Sequence, residues 1–326
     1  MRARIATVCQ SGSFYNSVEE NRKHVIGLLD LALRQKPDLV CLPETFTTVS
    51  VADKLKMDLA ETVPGPTTDA ISKRAKASKC YVICPINTKR DLKLWNSAIV
   101  IDRLGEIIGI YDKVHPVTTS SDYKIFEDGV TPGNKIPVFD LDFGRVGIQI
   151  CYDIGFPESW EELAKKGAKM VFWSSAYNGG FPLQVYAYLH HYYVISSVLS
   201  DKSKIIDPCG VIIAETDNHV NVTYHDINPD FVVSHYDFNY SIPDKIMKAY
   251  PDRVEIRSHL DEGHFLVEPI DDTLTTQQLQ QEFGFESTFQ YHQRHREAYR
   301  LIVQGKPPFA QKAAHGDRPQ YSKVDE

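Results

Sequence analysis

No run of apolar residues in the chain approaches the about 18 that a membrane-spanning helix needs, so no span is expected. Positive charge is not in excess either. The 36 Lys and Arg against 43 Asp and Glu leave a formal net charge of -7 at pH 7, without the basic stripe that a nucleic-acid footprint requires. The densest basic stretch, Arg294-His-Arg296 to Arg300, sits in a mixed-charge helical pattern and reads as a solvated face. The six cysteines, Cys9, Cys41, Cys80, Cys84, Cys151 and Cys209, lack the spacing of a disulfide framework. Cys80 and Cys84 fall four apart in a strand-like run, without the tight turn of a zinc knuckle. Reduced thiols in a cytoplasmic protein are the expectation. It agrees with Met1-Arg-Ala-Arg4 running straight into a strand pattern, with no room for a signal peptide. Asn221-Val-Thr223 and Asn239-Tyr-Ser241 match the glycosylation sequon and are read as chance. There is no internal repeat and no low-complexity block.

What is present is an ordinary globular composition, 42% hydrophobic and 24% charged, arranged as apolar strands separated by helical periodicity. Arg4 to Cys9 reads as a first strand. Ser17-Val-Glu-Glu20 is a capping box opening an amphipathic helix to about residue 35. Asp38 to Phe46 contains a short, continuously apolar strand of the buried kind. Thr67 or Thr68 is placed to cap a helix reaching Lys79, and Cys80 to Cys84 is a further buried strand. Hairpins are expected over Trp95–Tyr111, turning at Asp102 to Gly105, and over Val138–Ile150, turning at Phe143-Gly144. A polar loop covers 116–131. After Cys151 the pattern runs helix (159–166), strand (169–175), helix (183–191) and strand (193–199), with strand material at 205–206, 211–214 and 223–233. These patterns predict an α/β protein with mixed sheets covered by helices. The expected organisation is one domain over 1–270, then a helical extension and tail over 271–326. Within that extension helical segments break near Phe283-Gly284, and Lys306 to Glu326 reads as an arm or tail.

The stretch Gly144 to Glu158 is the most informative. An apolar run, Val146 to Ile150, stops at Cys151, and Pro157-Glu158 then opens a helix. Strand, sharp turn and helix lift one side chain off the rim of a sheet, where a thiol is a candidate nucleophile. A buried core thiol is the other reading. Glu44 and Lys113 also stand at the ends of apolar strands, where α/β sheets gather ligands. Taken singly, Glu44 reads as a capping or surface carboxylate and Lys113 as a solvated lysine. Taken together, a carboxylate takes the thiol proton while an ammonium favours thiolate and oxyanion. His190-His191 are adjacent on a helix and diverge, a poor chelate. His115 reads as packing support.

Leu42-Pro43-Glu44, Tyr111-Asp-Lys113-Val-His115-Pro116 and Gly147-Ile-Gln-Ile-Cys151-Tyr-Asp153 with Phe156-Pro157-Glu158 resemble, in order and spacing, three signature blocks of the carbon–nitrogen hydrolase (nitrilase) superfamily. The resemblance covers about residues 3 to 230. It implies an αββα sandwich, subunits that commonly pair as homodimers, and cofactor-free, metal-free hydrolysis of a small amide or nitrile by water. In the implied mechanism Cys151 attacks, Glu44 shuttles the proton, and Lys113 with backbone N–H groups such as that of Tyr152 stabilises the oxyanion. A second glutamate assists in this family, and Glu127 is the best match, with Asp122 and Asp128 as alternatives. Amidase is the first reading. A nitrilase or N-carbamoyl hydrolase uses the same triad, a silent scaffold on the same fold is the alternative of another class, and a Cys-His hydrolase would need an essential histidine. Many amidase-like members carry Arg in the turn where this chain has Gly155, so substrates with a free carboxylate near the scissile bond are disfavoured. The pocket is expected from Trp173, Ser175, Tyr177, Asn178 and Phe181, whose aromatics suggest an apolar substrate. For Trp173 a packed-core reading stays open.

Overall fold

The computed structural model describes residues 2–308 except Asp53 and Asn218. The expected tail falls, from residue 309, outside the described residues. The chain divides into two compact units, Ala3–Ile227 and a second formed from Asn228 onward together with Arg2.

The larger unit begins with β1 (Ala3–Val8), α1 (Val18–Leu33), β2 (Leu39–Cys41), α2 (Lys56–Leu59), α3 (Pro66–Ser78), β3 (Tyr81–Arg90), β4 (Lys93–Ile101) and β5 (Ile107–Asp112). It continues with β6 (Val138–Leu141), β7 (Gly144–Ile150), a 3-10 turn (Cys151–Gly155), α4 (Pro157–Lys165) and β8 (Met170–Ser175). Then come α5 (Pro182–His190), β9 (Tyr193–Val198), β10 (Lys204–Ile206), β11 (Ile212–Glu215) and β12 (Val222–Ile227). One six-stranded sheet has the order β12-β1-β2-β3-β4-β5 and the other β11-β10-β9-β8-β7-β6. Strands β1, β2 and β3 are parallel, as are β7, β8 and β9, and the remaining neighbours are antiparallel. Both sheets are therefore mixed, and both expected hairpins form.

Each sheet has its own helical cover. Val25, Leu29 and Ala32 of α1 with Ile71 and Ala75 of α3 close over Val40, Val82 and Ile99. Trp160 and Leu163 of α4 with Leu183 and Ala187 of α5 close over Val171, Trp173 and Val194. The sheets meet through small hydroxyl side chains that satisfy each other's backbone. Thr7 Oγ1 donates to Ser196 O at 2.6 Å, Ser174 Oγ to Leu42 O at 2.9 Å, and Ser197 Oγ to Val8 O at 2.7 Å. Short side chains let the sheets approach closely without orphaning buried polar atoms. The result is a helix–sheet–sheet–helix sandwich.

Local chemistry sets the boundaries. Ser17 Oγ accepts from Glu20 N at 3.2 Å, as the capping box predicts. On α3 neither threonine is the N-cap: Gly65 is, because Pro66 suits the first helical position, where no N–H is needed. Thr68 Oγ1 instead accepts from Gly65 N at 2.8 Å. β3 runs well past the expected Cys84 and turns at Asp91-Leu92, with φ of 51° and 60°. A two-residue hairpin needs both left-handed conformations, and without a glycine there the turn carried no sequence signal.

The second unit holds β13 (Val232–His235), α6 (Ile242–Ala249), β14 (Val254–His259), β15 (His264–Pro269), α7 (Thr276–Phe283) and α8 (Thr288–Val303). Its antiparallel sheet has the order β13-β15-β14. Ile242, Ile246, Phe265, Val267, Leu279 and Phe285 form one core across strands and helices. The division thus falls after Ile227 and not at the expected 270, because β13 to β15 share their core with α6 and α7. Residues 223–233, read as one stretch of strand material, are split between β12 and β13, and β14 is mostly half-buried, which blurs its apolar signal. Gly284, with φ of 70°, ends α7 at the expected break.

Candidate active site

Three chain segments leave the sheets of the larger unit together. β2 ends at Cys41, and Leu42-Pro43 lead to Glu44. β5 ends at Asp112, next to Lys113. β7 ends at Ile150, next to Cys151. Lys113 continues the β5 ladder, its N–H donating to Asn96 O of β4 at 2.9 Å, so the Lys113 and Asn96 side chains share a face.

On that face lies a buried polar network. Lys113 is 1% exposed and Glu44 5%. Lys113 Nζ donates to Glu44 Oε1 at 3.0 Å and also to Glu127 Oε1. Asn96 Nδ2 donates to Glu44 Oε1 at 2.8 Å and to Glu127 Oε2 at 3.1 Å. Val117 N donates to Glu127 Oε1 at 3.2 Å. The other acids of the loop are spent elsewhere: Asp128 pairs with Lys56 at 3.2 Å and Asp122 with Lys124 at 2.9 Å. Burial alone would lower the Lys113 pKa, but the charges of Glu44, Cys151 and Glu127 overturn this and raise it, so the ammonium persists. It occupies the place between two carboxylates that a cation would otherwise take.

Cys151 opens the 3-10 turn with φ of 45°, a left-handed conformation that a non-glycine residue holds only where its surroundings enforce it. Trp173 Nε1 donates to Cys151 O at 3.0 Å, Trp160 Nε1 to Asp153 O at 3.0 Å, and Tyr186 Oη to Ile154 O at 2.7 Å. Side chains from three elements thus pin the turn's carbonyls. Burial, first, and the Glu44 charge push the Cys151 thiol up to about 12; Lys113, the Ser175 hydroxyl and the Ala176 N–H pull against this without prevailing. The Lys113 ammonium favours the thiolate, as the sequence leads one to expect, but burial and the Glu44 charge outweigh it and keep the proton on sulfur. A protonated thiol with a carboxylate and an ammonium in electrostatic reach is equipped for nucleophilic attack coupled to proton transfer.

The structure brings Glu44, Lys113, Cys151 and Glu127 together. Ser175 is buried beside the thiol, and its Oγ also accepts from Tyr177 N at 3.2 Å. Tyr152 and Tyr177 are exposed by 45% and 47%, and Tyr177 feels the charges of Cys151 and Glu44. Trp173 is fully buried and holds the turn from below, which favours its core reading. Asn178 donates to Asp201 in the segment between β9 and β10 and accepts from Gly180 N of its own loop at 3.0 Å, so its amide is already engaged. Phe181 is largely exposed. His191 Nδ1 lies 3.1 Å from Pro208 O and His190 stacks on Tyr186, so the two rings diverge. Two residues of the site had no role assigned from the sequence, Asn96 of this network and Asp153, whose carboxylate accepts from Ile150 N beside the thiol. An Asn inside an otherwise apolar strand was the available signal for the first.

Gly133 shows how tightly Lys113 is seated. Its N–H donates to Lys113 O at 2.8 Å, and a Cβ there would lie 2.2 Å from Asp112 O. Gly133→Ala is expected to cost about 1–3 kcal/mol, read as a lowered midpoint in thermal unfolding, and to lower activity by shifting Lys113.

The fold and this site define a carbon-nitrogen hydrolase: the model of that family, "Carbon-nitrogen hydrolase", matches residues 5–235, and the chain belongs to it. Among relatives, "Omega-amidase NIT2" of Bos taurus is 33% identical over 163 residues, 49% of this chain and 59% of that protein. "Deaminated glutathione amidase" of Synechocystis is 29% identical over 257 residues, 71% of this chain and 93% of that protein. The crystal structure of Saccharomyces cerevisiae Nit3, a member of branch 10 of the nitrilase superfamily, superposes with a TM-score of 0.62 at 21% identity, covering 77% of this chain and 95% of that one.

Proposed function

We propose that the chain is an amidase that hydrolyses a small amide through a thioester on Cys151. The observation that carries this reading is the buried Glu44–Lys113–Glu127 network beside a protonated thiol on a strained turn. In the proposed cycle Glu44 takes the Sγ proton as sulfur bonds to the amide carbon. Lys113 and the Tyr152 N–H, a donor in the first turn of a helix with no intrahelical partner, face the developing oxyanion. Glu44 passes its proton to the nitrogen, the C–N bond breaks and ammonia leaves. Glu44 then deprotonates water, which attacks the thioester. The C–S bond breaks and the proton returns to sulfur, releasing the acid. Glu127, bonded to Lys113, holds the ammonium in place.

The names of the relatives, omega-amidase and deaminated glutathione amidase, favour an amide over a nitrile. For the acyl part we propose an uncharged, apolar group. Gly155 supplies no guanidinium, and a Cβ there would meet no atom within 4 Å. Tyr152, next to the thiol in sequence, and Tyr177, after β8, are both half-exposed and offer aromatic walls. The six free cysteines fit a cytoplasmic setting, and we propose a homodimer on the family resemblance. The test is a product assay with paired amides and nitriles that share an acyl group. Ammonia and acid from the amide are expected. Turnover of the nitrile alone would replace the reading with a nitrilase, and no turnover of any amide, nitrile or carbamoyl compound would overturn it.

A further inference from the structure

We infer that Asp153 is a positioning residue that fixes the Cys151 thiol relative to the Lys113 ammonium. The inference rests on the amide-hydrolysis reading for its kinetic consequence and on geometry for the rest.

Asp153 is 0% exposed, and its carboxylate is saturated from both sides of the site. Oδ2 accepts from Ile150 N at 2.8 Å and from Tyr111 Oη at 2.6 Å. Oδ1 accepts from His115 N at 2.9 Å and lies 2.8 Å from His115 Nδ1. Ile150 is the residue before Cys151, while Tyr111 and His115 stand two before and two after Lys113. One carboxylate therefore ties the strand end that carries the nucleophile to both flanks of the strand end that carries the ammonium. It does so across two sheets that otherwise meet through small hydroxyl side chains.

The clamp also accounts for a conformation that is unfavourable by itself. A left-handed non-glycine residue persists only where its neighbours hold it there. At Cys151 the bond from Ile150 N to Asp153 grips the residue before, and the Trp173 bond grips the Cys151 carbonyl. On the other side the His115 ring, seated against Asp153, stacks on Phe156 with centroids 3.6 Å apart and planes 7° apart. His115 is thereby turned toward Asp153 and Phe156. It serves the clamp, and the groups that set the Cys151 thiol are Glu44, Lys113, Ser175 and Ala176.

A carboxylate that accepts four bonds tolerates no donor in its place. Asp153→Asn keeps the volume but points an NH2 at two of the four donors, so part of the clamp opens. The expected result on the full chain is a fall in kcat of about tenfold to a hundredfold, the cost of misplacing a reacting group by a fraction of an ångström to 1 Å. KM should stay within about twofold, as for a loss confined to the transition state. In parallel, the rate of Cys151 alkylation by iodoacetamide is followed from pH 6 to about 10. Its pH profile should shift in Asp153→Asn, because the distance from thiol to ammonium has changed. Tyr111→Phe, which removes one donor only, should move both readouts the same way by a smaller factor.

A purely structural carboxylate would lower the unfolding midpoint and leave both readouts of the folded protein unchanged. Unchanged kcat and an unchanged alkylation profile in folded Asp153→Asn would overturn the inference. Should that variant fail to fold, the same outcome in Tyr111→Phe overturns it. If the unsubstituted chain turns over no amide, the amidase reading fails while the alkylation profile still decides the role of Asp153.

Discussion

Cys151→Ala is expected to reduce ammonia release to the uncatalysed background, a loss of about 10⁴-fold or more, because no other nucleophile stands in the network. Stability should change little, since Cys151 is partly exposed and its backbone is held by its neighbours. The pH dependence sharpens the test. With the thiol pushed up to about 12, only on the order of one thiol in 10⁵ is ionised at neutral pH. A mechanism that waited for free thiolate would accelerate about tenfold per pH unit up to the thiol pKa. Transfer to Glu44 within the substrate complex needs no free thiolate, so turnover should level off near neutral pH while iodoacetamide alkylation of the free enzyme keeps climbing. Turnover that survives Cys151→Ala in pure protein would sink the mechanism. The same group bears on stability. A thiol raised in the folded state above its ordinary 9.0 holds its proton longer when folded, so its contribution is full below about 9 and fades as pH rises toward 12. Lys113, raised above its ordinary 10.5, adds to the same alkaline loss.

Much of this site was legible in the amino-acid sequence, for a physical reason. Glu44, Lys113 and Cys151 each follow a run of apolar residues, and a reactive side chain at the end of a buried strand interrupts the pattern visibly. The mixed sheets and their helical cover were legible because the parallel strands are continuous apolar runs and the helices carry regular periodicity, whereas the stacking of the two sheets into a sandwich was implied only by the family resemblance. What escaped was whatever depends on side chains meeting across the fold. Asp153 sits within a recognisable block, yet its role exists only because Tyr111 and His115 arrive from another sheet. Trp173 reads as pocket or core with equal ease until the indole N–H is seen pointing at Cys151 O. The Asp91-Leu92 turn and the strands after residue 234 escaped for the opposite reason: their local composition contradicts or blurs what the backbone does. The boundary at 227 is of this kind, since only long-range pairing of β13 with β15 reveals it.

Lys113→Met should be the most damaging change to the network, in both activity and stability. Removing the ammonium leaves the buried Glu44 and the partly buried Glu127 with one Asn96 amide between them. Breaking a buried pair by deleting one partner typically costs about 3–5 kcal/mol. Glu44→Gln is the companion change. It removes one negative charge and keeps the shape, so folding should survive while kcat falls by about 10²–10⁴, the usual contribution of a general base. It also removes a charge that raises the Cys151 thiol, so alkylation should become easier in Glu44→Gln even as turnover collapses. That divergence separates the proposed base from a merely structural carboxylate, whose loss would depress both readouts together. Parallel loss of alkylation and turnover in folded Glu44→Gln would therefore remove Glu44 from the proton-transfer role, leaving Glu127, bonded to the same ammonium, as the next carboxylate to substitute.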